Sequence, residues 1–434
     1  MEAGITVTSV NPLYTEGELK RQFVNAEAEC LITIPKLKDV ADKIGSHLPG
    51  YKGTITVGEG GQWDLLDLSD PNRTFEPLST SPNAHDMALL PYSSGTTGLP
   101  KGVQLTHSNC VANIQQIMHP KFLDLQPASD SHQDIAVGVI PFFHIYGCTA
   151  LLCVTMKFGM HTITLPNFTP ESYVKCLEKY KPTALFLVPT LMMFLAKHPS
   201  VKREHLSSVK AVMCGAAPAT KALIDLFKEK AGKSDITVQQ GYGMTESSPC
   251  TLITPYDMPE SKIGSAGILV PNTEAKVVCM TTGKDLPPNN QGELYVRGPQ
   301  VMSGYLKNDE ATKEALDSDK WLHTGDVAYY DDEGYFFITN RTKELIKVKG
   351  NQGSAKKSNI DKIQSKTLHI ILDAPWYAPN RTIHNDLNIP TVYKVAQTQF
   401  RCFHTNLESH SNPLINALSS YTKAEETVAS GHVR

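Results

Sequence analysis

Residues 184–239 decide the fold: ALFLV at 184–188, a helical run from Thr190 to Ala196, VKAVMC at 209–214, a second helical run from Thr220 to Ala231, and ITVQ at 236–239. Short apolar segments of strand length alternate with helices, and that order predicts a parallel sheet with helices on both faces. Upstream, Thr169 caps a helix with Pro170 at its first position, and the helix stops before Pro182. Nearer the start, Ile5–Thr8 alternates like a strand, and Thr15 with Glu18 forms a capping box that opens a helix. Cys30–Ile34 is a further strand and Leu37–Ile44 a further helix. After about Thr251 the texture changes to glycines and short alternating segments such as Gly292–Arg297. Asp331–Gly334 reads as a hairpin turn between Val327–Tyr330 and Tyr335–Ile338. The fold class is α/β: a large N-terminal core of mostly parallel sheets with helices on both faces, plus a small antiparallel β subdomain. From Asn351 no βα alternation continues, and residues 351–434 hold two of the chain's 29 glycines.

The 434 residues are 41% apolar and 20% charged, an ordinary globular composition with length for two or three domains. A net charge of −3 gives no pull toward nucleic acid or an anionic membrane. Nine cysteines without a C-x-x-C pair argue for reduced thiols, against a disulfide frame or zinc site. No apolar run has membrane-spanning length, and the first residues lack a signal-peptide core. The expected location is the cytoplasm.

The segment with the most chemistry is YSSGTTGLPKGV at 92–103. Gly95 and Gly98 free backbone amides to face an anion, Ser93, Ser94, Thr96 and Thr97 add hydroxyl donors, and Lys101 adds a point charge. Together they make a cradle for a polyphosphate. The plainer reading is a surface loop. A Walker loop is not matched, because Gly102 follows Lys101 where that motif needs Ser or Thr.

Other constellations share the chain. His144 lies in the aromatic stretch Pro141–Gly147, where a lone histidine is either a core residue or a ligand. The run QGYGMTE at 240–246 follows a strand, so it falls at the carboxyl edge where open α/β sheets bind ligands. There Gly241 and Gly243 permit close approach, Tyr242 can stack on a base, and Glu246 is a candidate magnesium ligand. The alternative is a glycine-rich turn. Asp326 in WLHTGD at 321–326 suits a ribose diol or stabilises a turn, and Arg341 could fork to the same sugar.

Taken in order, Ser93–Lys101, Pro141–Gly147, Gly215–Pro218, Gln240–Glu246, Thr324–Asp326 and Arg341–Gly350 resemble the adenylate-forming (AMP-binding) superfamily. That superfamily holds acyl-CoA synthetases, firefly luciferase and peptide-synthetase adenylation domains; the texture here is nearest that of 4-coumarate:CoA ligase. The resemblance spans residues 4 to about 350. It implies that Ser93, Ser94, Gly95, Thr96, Thr97, Gly98 and Lys101 hold the triphosphate. His144 and Tyr146 would line the acyl site, and Ala150, Gly215, Gly241, Pro249 and Cys250 would shape it. Gly215 and Ala216 would flank the nucleotide. Gln240, Gly241, Tyr242 and Thr245 would contact the adenylate, Glu246 would help hold Mg²⁺, and Asp326 and Arg341 would bind the ribose. Lys343 falls on a nucleotide-binding lysine, and Lys347, Lys349 and Gly350 fall on the thioester and coenzyme A segment. The implied catalytic set is Lys101, His144, Thr245 and Lys347. The implied reaction uses ATP, Mg²⁺ and coenzyme A to turn a small-molecule carboxylic acid into an acyl-AMP and then a thioester.

Three departures from the pattern shape the expectations. The resemblance begins without the family's first part, so apolar faces near the start should be uncovered. Asn340 stands where the family has Asp or Lys at the hinge. After Gly350 the family's lid domain, with its catalytic lysine, is not matched. The expected organisation is a core over 1–339, a hinge over 340–350 and an unrelated tail over 351–434. Two activities are open: an acid:CoA ligase for an aryl or fatty acid, or a catalytically impaired chain that binds nucleotide or acid only. Adenylation without transfer to coenzyme A is a third. The acid itself and the oligomeric state are not readable.

Overall fold

The computed structural model describes residues 4–63, 83–93, 99–123, 125–165 and 168–341, without the Arg341 side chain. All of them fall in one compact unit, Met1–Lys343.

Its centre is a seven-stranded sheet in the order Ile268–Leu269, Cys250–Ile253, Thr237–Gly243, Ala211–Cys214, Ala184–Leu187, Ile135–Gly138 and His161–Thr164. The five strands from Thr237–Gly243 to His161–Thr164 run parallel, and the other two are antiparallel additions. Successive residues of the inner strands enter opposite cores. Ala184, Phe186, Ala211 and Met213 join one face with Leu151, Val154 and Phe158. Leu185, Leu187, Val212 and Cys214 join the other with Tyr173, Leu177, Met192 and Phe227. A strand covered on both faces needs apolar residues at every position, which is why these segments show no polar alternation. The helices form as their caps dictate. The Thr15, Thr169 and Thr220 hydroxyls accept from the N–H groups of Glu18, Ser172 and Leu223.

A four-stranded antiparallel sheet follows, in the order Glu274–Val278, Gly292–Arg297, Leu322–Tyr330 and Phe336–Arg341. Its last hairpin closes at Asp331–Gly334, where the Gly334 N–H donates to Asp331 O at 3.0 Å. Lys101–Thr106 pairs with Met87–Leu89, Tyr92–Ser93 and Gly304–Tyr305 in a further sheet. Near the start, Cys30–Thr33 and Gly53–Thr56 form a separate two-stranded parallel sheet. Ile32 beside it is 67% exposed and Ile34 53%.

Two elements differ from expectation. The strand at 236–239 continues to Gly243, because Cys250–Ile253 returns alongside Gly241–Gly243. Ile5–Thr8 is reduced to one bridge from Val7 to Leu89. The apolar run at 150–154 has the length of either a buried strand or a core helix, and it is helix: a wide-turned π-helical segment over Tyr146–Cys153 passes into the α-helix Val154–Phe158. Among the described residues no helix is long and apolar enough to cross a membrane.

Candidate active site

The strand Thr237–Gly243 and the turn Thr245–Ser247 after it are the hub of the site. Side chains on a strand alternate, so Gly241 and Tyr242 face opposite ways.

On the other side, the Tyr242 ring packs on an apolar cluster and its hydroxyl end meets polar residues. The Tyr242 hydroxyl donates to Asp326 Oδ2 at 2.7 Å. Asp326 is 5% exposed. It lies opposite Arg341 in the register of the antiparallel sheet. Thr324 fixes the approach to Asp326: its hydroxyl donates to Leu294 O at 2.7 Å and accepts from the Asp326 N–H at 3.1 Å. Glu246 Oε1 accepts from the Tyr305 hydroxyl at 2.8 Å, and Lys101 Nζ sits 4.2 Å from the centre of the same ring. Lys101 pairs with Ser93 across the hairpin whose turn carries the phosphate-cradle sequence. The Ser93 hydroxyl oxygen is buried with no hydrogen-bond partner among the described residues. A buried hydroxyl in that state costs stability unless a ligand completes it.

On the Gly241 side the residues are apolar and closely fitted. The Tyr146 hydroxyl donates to Met213 O at 3.0 Å and to Leu187 O at 3.3 Å, which pins the ring beneath the strand ends. A Cβ on Gly215 would touch that ring at 3.4 Å and Gly241 O at 3.7 Å, so these three residues meet. Ala150 and Cys250 are buried in the same cluster as Tyr146. Cys250 is clasped by Asn113, whose side chain accepts from its N–H at 3.0 Å and donates to its carbonyl at 2.8 Å. Burial pushes the Cys250 thiol up to about 12, so it stays a neutral part of the wall.

His144 stands at the rim. Its Nδ1 accepts from the Tyr146 N–H at 3.2 Å, which places the ring proton on Nε2. Solvent reaches the ring, yet protein around it holds its pKa below the ordinary histidine value through desolvation.

Four predicted residues take parts that spacing does not show. Gln240 is buried, and its Oε1 accepts from the Ala219 N–H at 2.7 Å, so that oxygen holds the 215–219 loop. Within that loop Ala216 adopts φ +67°, a left-handed conformation that costs a residue with a Cβ about 1 kcal/mol. Thr245 opens the short turn that carries Glu246. The Pro249 carbonyl closes this turn, accepting from Met244 N–H at 2.9 Å and Ser247 Oγ at 2.6 Å. Ser94, Gly95, Thr96, Thr97, Gly98, Lys343, Lys347, Lys349, Gly350 and the tail from 351 lie outside the described residues. Sequence reasoning missed Tyr305 and Asn113. Tyr305 is 59 residues from Glu246, and its only local signal is an aromatic residue directly after a glycine.

The AMP-binding enzyme family matches residues 1–306, and this chain belongs to that family. Among characterised proteins, the 4-coumarate--CoA ligase of Pinus taeda is 36% identical over 357 residues, covering 80% of this chain and 64% of that enzyme. The chain therefore spans about two thirds, 64%, of that relative's length. ATP-bound MatB from Rhodopseudomonas palustris superposes with a TM-score of 0.67 at 29% identity, covering 78% of this chain and 64% of its own. A long-chain-fatty-acid-CoA ligase from Archaeoglobus fulgidus gives 0.65 at 29%, covering 77% and 67%.

Proposed function

We propose that this chain activates a carboxylic acid with ATP, as an acid:CoA ligase acting on an aryl or fatty acid. The acid would become an acyl-AMP with release of pyrophosphate, and the thiol of coenzyme A would then displace AMP. The observation that carries this reading is the two-sided hub: Gly241 faces an apolar wall, while Tyr242 and Glu246 face polar groups suited to a nucleotide. A carboxylate is already nucleophilic, so the site needs no general base. It needs charge neutralisation and in-line placement. The Lys101 ammonium and the Ser93 hydroxyl, which has no partner among the described residues, fit a polyphosphate. The Tyr242-bound carboxylate of Asp326 fits a ribose diol, and His144, with its proton on Nε2, can donate to the carboxylate of the acid.

Glu246 fits Mg²⁺: only Oε1 is hydrogen-bonded among the described residues, leaving Oε2 as a hard oxygen ligand. When bound there, the cation would supply charge neutralisation at the phosphates. The residues expected to face coenzyme A lie outside the described part, so the thioester step rests on kinship with ligases. The acid class rests on relatives whose names specify 4-coumarate and long-chain fatty acids.

ATP–pyrophosphate exchange with a panel of aryl and fatty acids tests the reading, with product analysis in the presence and absence of coenzyme A. Acid-dependent exchange supports it. ATP binding without exchange for any acid replaces it with the nucleotide-binding reading.

A further inference from the structure

We infer that Tyr305 is a positioning residue that keeps Lys101 and Glu246 apart while seating each for magnesium and ATP. The inference deepens the reading above and rests on it. Gly304–Tyr305 pairs antiparallel with the strand that begins at Lys101, with Tyr305 opposite Val103. The backbone there is fixed from outside: the Tyr305 N–H donates to Thr312 Oγ1 at 2.9 Å. The side chain is 7% exposed and packed in the core with Val103, Leu294 and Met302. From this anchored position the ring face takes the Lys101 ammonium at 4.2 Å and the hydroxyl takes Glu246 Oε1 at 2.8 Å. The neighbouring Met302 N–H holds the Glu246 carbonyl at 2.9 Å, so one short segment grips Glu246 twice.

The arrangement solves a chemical conflict. A lysine meant for phosphate and a carboxylate meant for a cation attract each other, and a direct pair would quench both. The aromatic face holds the ammonium without neutralising it. The hydroxyl occupies one acceptor site of the carboxylate and leaves the others open. Among the described residues no ion pair joins Lys101 to Glu246.

Calorimetric titration of the full chain with ATP, across a series of Mg²⁺ concentrations and in EDTA, tests this. Tyr305→Phe keeps the ring and loses the hydroxyl. It is expected to raise the Mg²⁺ concentration for half-maximal ATP binding about tenfold, as for a lost hydrogen bond to a charged group, and to leave binding in EDTA unchanged. Tyr305→Leu removes the ring as well and is expected to weaken binding in EDTA too. An unshifted Mg²⁺ midpoint in Tyr305→Phe overturns the inference. So does an equal loss with and without Mg²⁺, which marks a structural role alone. Absence of ATP binding by the unaltered chain overturns the proposed function, and this inference with it. If Tyr305→Leu fails to fold, Tyr305→Phe decides the matter.

Discussion

On the proposed acid side of the site, polar groups are used up inside the protein. Tyr146 spends its hydroxyl on two carbonyls, Asn113 spends its amide on Cys250, and Cys250 stays a neutral thiol. On the proposed nucleotide side, bonding capacity is held in reserve: among the described residues the Ser93 hydroxyl has no partner and Glu246 keeps an oxygen unbonded. On the proposed function, one side would recognise by shape and the other by charge. Substitutions on the first should change which acid is used, and those on the second should change how tightly nucleotide is held. Both sides hang on the strand Thr237–Gly243, so damage to the strand itself should remove the distinction.

Gly243→Ala is the largest such damage. A Cβ there would lie 1.8 Å from the Pro249 carbonyl oxygen and 2.7 Å from its carbon, and neither backbone atom can swing away. The expected cost is about 3 kcal/mol or more, with loss of both nucleotide and acid binding. Thermal unfolding and ATP titration check this, and a variant of normal stability that binds both ligands would break the idea of a common hub.

Asp326→Asn comes next and acts on one side only. The amide oxygen can still accept from Tyr242, but the negative charge is lost. Hydrogen bonds to charged groups contribute roughly 1.5–3 kcal/mol, so ATP affinity should fall about 10- to 100-fold while acid affinity holds. Calorimetry with each ligand separately measures the contrast. A fall in acid affinity of equal size would erase it.

How much of this could be read beforehand depended on distance along the chain. The parallel sheet was legible because Ala184–Leu187 and Ala211–Cys214 are apolar on both faces, and Thr169 and Thr220 mark helix starts beside them. Lys101, Glu246 and Asp326 stood out as candidates because each sits in a short run of unusual composition. Their mutual support was not legible. Tyr305 reaches Glu246 across 59 residues and Asn113 reaches Cys250 across 137, and no local pattern encodes such contacts. The extension of the strand through Gly241–Gly243 was hidden for a similar reason. Glycine alone signals a turn, and only the returning strand at Cys250 makes it sheet, with an irregular register between Tyr242 and Gly243. The segment Tyr146–Cys153 is apolar all round, so periodicity could not separate strand from helix.

His144 sharpens the comparison through pH, because it is the titrating group on the acid side. Desolvation lowers its folded pKa below the ordinary 6.5, so the unfolded chain binds the proton more readily. Its contribution to stability is complete above pH 6.5 and is lost as pH falls from there toward the folded value. Unfolding midpoints of the unaltered chain and His144→Gln, measured from pH 8 to pH 5, should therefore converge in acid. Curves that stay parallel would remove His144 from the enclosed rim.

Gly241→Ala should have the smallest effect on the fold and the most selective effect on function. Its Cβ would find Cys250 Sγ at 3.9 Å and Leu252 O at 4.0 Å, both ordinary contacts, and the backbone there needs no positive φ. Stability should change by less than about 0.5 kcal/mol. The new methyl would stand beside Cys250, which is buried in the same cluster as Tyr146, so it is expected to shorten the proposed acid side and spare the nucleotide side. A pocket altered by one methyl discriminates by about 1–3 kcal/mol between acids that differ by a similar volume. In exchange assays across acids of graded size, kcat/KM should shift toward smaller acids by roughly 10-fold or more, with the KM for ATP unchanged. An equal loss for every acid would mean that Gly241 serves the backbone alone, and shape recognition would then have to be sought elsewhere along the wall formed by Tyr146, Ala150 and Gly215.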